Sequence, residues 1–127
     1  MDFRTTTEIG LRINDPFEAL QFGNGYDHNF VINQQNEPLA FAARVFSPVT
    51  NIQMELYTNQ PGVQLYTGNY MNGSEIGKTG KAYLRRAGFC LETQCFPDSP
   101  NQPQFPSVVL NPGETYRQTT IHQFSVI

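Results

Sequence analysis

Apolar and polar positions alternate most cleanly over residues 52–58. Ile52, Met54 and Leu56 share one face there, and Gln53, Glu55 and Tyr57 share the other. That period of two predicts a half-buried strand. Further runs rich in aromatic and β-branched residues, at 29–33, 39–47, 62–68, 88–96 and 120–127, read as strands, with a short one within 105–114. Turn signals recur every ten residues or so between them, the spacing of an antiparallel β-sandwich or barrel layer. One helix is predicted, over 5–13, where Thr5 and Glu8 stand at capping-box spacing, although Gly10 weakens it. No internal repeat or low-complexity tract interrupts this all-β pattern.

Three loops stand out between the strands. Residues 22–29 crowd Gly, Asn, Asp and His; 58–69 turns on Pro61-Gly62; 96–107 carries four prolines, which exclude helix and strand and favour a stiff extended path. Stiff loops at strand ends commonly carry binding residues. The tripeptide Asn72-Gly73-Ser74 reads as a turn rather than a glycosylation site.

Composition narrows the function classes. A chain of 127 residues with 8 Lys+Arg against 11 Asp+Glu predicts one domain without a basic face, so nucleic acid is not an expected partner. No apolar run approaches the roughly 18 residues that cross a bilayer. The first ten residues lack the apolar stretch of a secretory leader. Cys90 and Cys95 have opposite parity on one predicted strand, which argues against a bridge between them and for a reducing, cytoplasmic setting.

Glu92 is the first candidate for chemistry. In an extended segment it shares a face with Cys90 and Gln94, while Phe89, Leu91 and Thr93 take the other. A carboxylate shielded by aromatic neighbours is a stronger proton acceptor near neutral pH; the alternative is a strand glutamate facing water at a sheet edge. Asp27 lies in a glycine-flanked loop, either holding an Asx-turn or accepting hydrogen bonds from a polyol. Gln64 belongs with it chemically, because an amide both donates to and accepts from sugar hydroxyls. His28 reads as a general acid or as a structural loop histidine, and His122 as a packing residue of the last strand. The scattered His and Cys residues give no zinc pattern, and neither a phosphate loop nor a serine nucleophile elbow is present.

The segments GYDHNFVI, TNQPGVQLYTGN and GFCLETQCFPDSPNQPQFPS, followed by LNPGETYRQTT and FSV, resemble the aldose 1-epimerase (galactose mutarotase) family across essentially the whole chain. The resemblance implies the C-terminal portion of one large antiparallel β-sandwich domain, with residues 1–127 as that portion. It implies interconversion of the α and β anomers of aldohexoses such as galactose and glucose, without metal or cofactor. Glu92, in the Glu-Thr-Gln motif, would take the proton from the C1 hydroxyl. Asp27 and Gln64 would contact the sugar.

The chain departs from the family in extent. The family's acid histidine and further active-site residues belong to upstream motifs that this sequence does not contain. A fragment with strands stripped of partners is expected to need the missing N-terminal part or to self-associate through open edges. The alternative to a catalytic segment is a carbohydrate-binding remnant on the same scaffold.

Overall fold

A computed structural model describes residues 1–33 and 37–127. Six strands lie among the described residues: β1 (Asp27–Val31), β2 (Ala40–Phe46), β3 (Ile52–Thr58), β4 (Gly62–Tyr66), β5 (Cys90–Gln94) and β6 (Thr120–Val126). They form two three-stranded sheets, ordered β1-β4-β5 and β2-β3-β6. The only α-helix among the described residues is α1 (Glu18–Gly23). The all-β, antiparallel expectation holds. The chain divides into two compact units, one of residues 1–28 and 64–91, the other of residues 29–63 and 92–127. The division falls inside β1, β4 and β5.

In the first unit the buried apolar side chains are Ile13, Leu20, Tyr26 and Leu65. The Phe3 ring meets Tyr26 edge-on at 5.2 Å, and the Arg12 guanidinium lies over Phe3. The helix predicted over 5–13 shrinks to a 3-10 turn, Ile9–Arg12. Its N-cap is Glu8, with no side-chain capping bond, and the Thr7 hydroxyl donates to the Thr5 carbonyl instead. The capping box is therefore unmade. α1 was not foreseen. It stops at Asn24, whose left-handed backbone (φ 52°) lets its N–H close on the carbonyls of Leu20 and Gln21. The turn at 72–74 forms as expected, with the Ser74 N–H donating to Asn72 Oδ1 at 3.0 Å.

In the second unit β3 is the central strand. Antiparallel pairing sets Met54 opposite Val45 of β2 and Phe124 of β6, and Leu56 opposite Ala43 and His122. The register shifts between Phe41 and Ala43. One face of this sheet is polar along its middle: Arg44 and Glu55 form an ion pair, and the Tyr57 hydroxyl donates to Glu55. The other face carries Val45, Met54 and Leu56, then Ile52, Phe124 and Val126. Leu56 is fully buried, whereas Phe124 is 65% and Val126 77% exposed.

Thr58, also fully buried, donates its hydroxyl to the Thr119 carbonyl at 3.2 Å. It lies 3.3 Å from the hydroxyl of Thr120, which in turn is 2.6 Å from the hydroxyl of Thr93 on β5.

The strand expected within 105–114 does not form. Pro106 and Pro112 supply no N–H, and Asn111 and Glu114 close a turn through Gly113 at φ 90°. The proline-rich loop is not wholly extended either: Ser99–Asn101 makes a 3-10 turn. Asp98 holds that turn by accepting from Asn101 and Gln102, and Phe96 closes edge-on to Phe105 at 5.2 Å.

Candidate functional site

Asp27 opens β1 immediately after a tightly built bend. Beyond Asn24 the chain turns through Gly25 at φ 136°, a conformation that suits glycine. A Cβ on Gly25 would collide with the Asn69 side chain. Asn69, only 4% exposed, explains the crowding. Its amide donates to the carbonyls of Gly23 and Tyr26, each at 2.8 Å, and its oxygen accepts from the Thr67 hydroxyl at 2.7 Å. The Tyr26 N–H donates to the Thr67 hydroxyl, and the Thr67 N–H to the Tyr26 carbonyl. The start of β1 is thereby fixed against the end of β4. Arg85 and Arg86 both donate to the Asn24 carbonyl.

From this base the Asp27 carboxylate reaches Gln64 of β4. Gln64 Nε2 donates to Asp27 Oδ1 at 2.8 Å. The structure thus brings together two of the three residues singled out from the sequence. The carboxylate is committed to a neighbouring side chain through one oxygen and is exposed. A planar acid and a planar amide held edge to edge present acceptor and donor positions suited to vicinal hydroxyls.

His28 has both ring nitrogens engaged. Nδ1 accepts the Asp27 backbone N–H at 2.9 Å, and Nε2 lies 3.1 Å from the Ala19 carbonyl of α1. Because Nδ1 is an acceptor, the ring proton sits on Nε2 and is donated to Ala19. His28 is a structural histidine here, and His122 is exposed on β6.

Glu92 belongs to the second unit and lies on β5, an edge strand of its sheet. Its side chain is exposed, as is that of Cys90, while Gln94 on the same face is half-buried. Of the two readings of Glu92, the structure shows the strand glutamate facing water at a sheet edge; aromatic shielding is not supplied by the described residues. Further along the chain, Gln94 Nε2 donates to Asn29 Oδ1 at 3.4 Å and Cys95 Sγ approaches Gln60 Oε1 at 3.4 Å. Gly62 leaves room for Asn29: a Cβ there would stand 2.5 Å from Asn29 Oδ1. Both cysteines are free.

Asn69, Asn29 and the Arg85–Arg86 pair escaped the sequence reading. The signal for Asn69 was present, since an Asn following Thr67-Gly68 at a strand end is a common side-chain anchor. The two carbonyls it serves lie more than forty residues away and leave no local trace.

The family model for aldose 1-epimerase matches residues 1–123. Galactose mutarotase of Rattus norvegicus is 50% identical over 125 residues, covering 98% of this chain and 35% of that protein. Aldose 1-epimerase of Escherichia coli K12 is 37% identical over 102 residues, covering 79% of this chain and 29% of its own length. Among solved structures, an aldose epimerase homologue from C. elegans superposes with a TM-score of 0.72 at 28% identity, over 80% of this chain and 30% of that one. The chain thus spans about a third of the length of the curated relatives it matches.

Proposed function

Because the chain belongs to the aldose 1-epimerase family, we propose that it forms the sugar-contacting, base-bearing part of a mutarotase acting on aldohexoses such as galactose and glucose. The observation that carries this reading is the 2.8 Å bond between Gln64 and Asp27. Two side chains 37 positions apart in sequence are hydrogen-bonded to each other, with the carboxylate exposed. Glu92 is the proposed general base. It takes the proton of the C1 hydroxyl while the ring oxygen receives a proton from an acid elsewhere in the family's domain. The C1–O5 bond breaks to give the open-chain aldehyde, rotation about C1–C2 turns the carbonyl, and reclosure returns both protons. A positioned base contributes about 10²–10⁴-fold to such a step.

The acid is assigned to polypeptide outside this sequence, and residues 1–127 are read as part of a single sandwich domain. Ile52, Phe124 and Val126, exposed along one face of the β2-β3-β6 sheet, support the docking of that further polypeptide there, with self-association as the alternative. The free thiols of Cys90 and Cys95 support a reducing, cytoplasmic setting.

Polarimetry of freshly dissolved α-D-galactose and α-D-glucose tests the proposal, paired with NMR of the labelled chain. The chain alone should show sugar-dependent shifts at Asp27 and Gln64 and little acceleration. Adding the N-terminal two thirds of a relative should bring a rate gain that Glu92→Gln abolishes. A gain that survives Glu92→Gln removes the base from residue 92. Shifts without any gain favour a carbohydrate-binding remnant, and neither shifts nor gain overturns the sugar reading.

A further inference from the structure

We infer that His28 is a positioning residue for Asp27: through its two ring nitrogens it fixes the backbone from which the Asp27 carboxylate meets Gln64. The inference rests on the reading of Asp27 and Gln64 as sugar contacts, and it assigns His28 no proton transfer to substrate.

Three observations carry it. Nδ1 accepts the N–H of Asp27 itself, so the peptide immediately before the Asp27 Cα is held by the ring. Nε2 is 3.1 Å from the Ala19 carbonyl in the second residue of α1. The imidazole therefore bridges helix and strand, and a rotation of Asp27 would have to break one bond or the other. The space is closed as well: a Cβ on Gly23 would stand 3.4 Å from both Asp27 Cβ and His28 Cε1, so ring, helix end and carboxylate stem are in contact range of one point. The ring holds the Asp27 backbone while Gln64 holds the carboxylate. With both ends fixed, the acceptor geometry is set before any ligand arrives, which reduces the ordering cost of binding.

Two near-isosteric substitutions separate the two bonds. In His28→Asn the amide oxygen stands close to the place of Nδ1, so the Asp27 N–H keeps an acceptor while the Ala19 contact is lost. In His28→Gln the amide nitrogen reaches toward the place of Nε2, so the Ala19 contact is kept and the Asp27 N–H loses its partner. Affinity for galactose, followed by amide shifts, should fall about tenfold in His28→Gln and markedly less in His28→Asn, the size expected from one lost hydrogen bond. Two readouts need no sugar. The nitrogen-15 spectrum of the ring should show the Nε2–H tautomer. The Gln64 side-chain amide, which senses the Asp27 carboxylate, should shift in His28→Gln and stay near its original position in His28→Asn. An Nδ1–H tautomer, or an unmoved Gln64 amide in His28→Gln, overturns the positioning role. If the Gln64 amide moves as expected while no form of the chain responds to galactose, positioning stands and the sugar reading fails.

Discussion

Gln64 Nε2 donates to Asp27 Oδ1 at 2.8 Å, from the middle of β4 to the first residue of β1. The pair is exposed on the carboxylate side, so it contributes little to folding. Gln64→Leu is expected to change stability by less than about 0.5 kcal/mol. The same change should abolish galactose-dependent shifts at Asp27. Chemical denaturation and NMR titration of one sample check both, and a Gln64→Leu chain that still answers to sugar contradicts the pairing's role.

Asn69 predicts the opposite balance. Its amide serves two carbonyls and its oxygen a hydroxyl, in an environment that excludes water. Asn69→Ala would leave the carbonyls of Gly23 and Tyr26 each short of a donor. The expected loss is about 2–3 kcal/mol in urea unfolding. Because the bend before Asp27 depends on this anchor, the Asp27 and His28 resonances should broaden in the folded fraction.

Glu55 predicts an acid limb to stability. The Tyr57 hydroxyl, the larger influence, and Arg44 both donate to it and hold its carboxyl below the ordinary glutamate range. A group whose folded pKa is depressed stabilises the fold above its unfolded pKa, and that stabilisation is lost as pH falls through the folded value. Stability should accordingly be level near neutrality and decline once acidification passes the ordinary glutamate value. Tyr57→Phe should raise the Glu55 midpoint, followed by carbon-13 NMR of the carboxyl carbon. An unmoved midpoint would remove the tyrosine as the cause.

Phe124 predicts association. It projects on the same side as Met54 and is 65% exposed. Sedimentation should find the isolated chain self-associating at micromolar concentration, and Phe124→Asp should shift it toward monomer with stability changed by less than about 0.5 kcal/mol. A monomeric wild-type chain contradicts the expectation.

How far the sequence foretold these features depends on whether the deciding contact was local. The 52–58 strand was read to the residue because alternation is a property of the strand itself. β1 begins two residues before the predicted start, since Asp27 and His28 are drawn into the sheet beside the Tyr26–Thr67 bonds, forty-one positions apart in sequence. α1 escaped because its N-cap is Phe17, which offers no capping oxygen, and because its stop at Asn24-Gly25 reads as part of a loop. At the site, motif chemistry picked out Asp27 and Gln64, but their bond needed the fold. The two bonds of His28 did too, and so did the choice between a shielded and an exposed Glu92.

The contact between Thr93 and Thr120 has a directional consequence. Each hydroxyl has one proton to give. With the Thr58 proton on the Thr119 carbonyl, Thr120 donates to Thr58 and Thr93 to Thr120. The Gln118 amide feeds the far end by donating to Thr93 at 2.9 Å. The result is a one-way relay of dipoles that is complete only in a single alignment of β5. Sliding β5 by one residue would break the relay at Thr93 and turn Glu92 to the opposite side of the strand. The neighbour of the proposed base thus acts as a latch on the side to which that base is turned. A Thr93→Val chain, isosteric but mute, is where that latch would come undone.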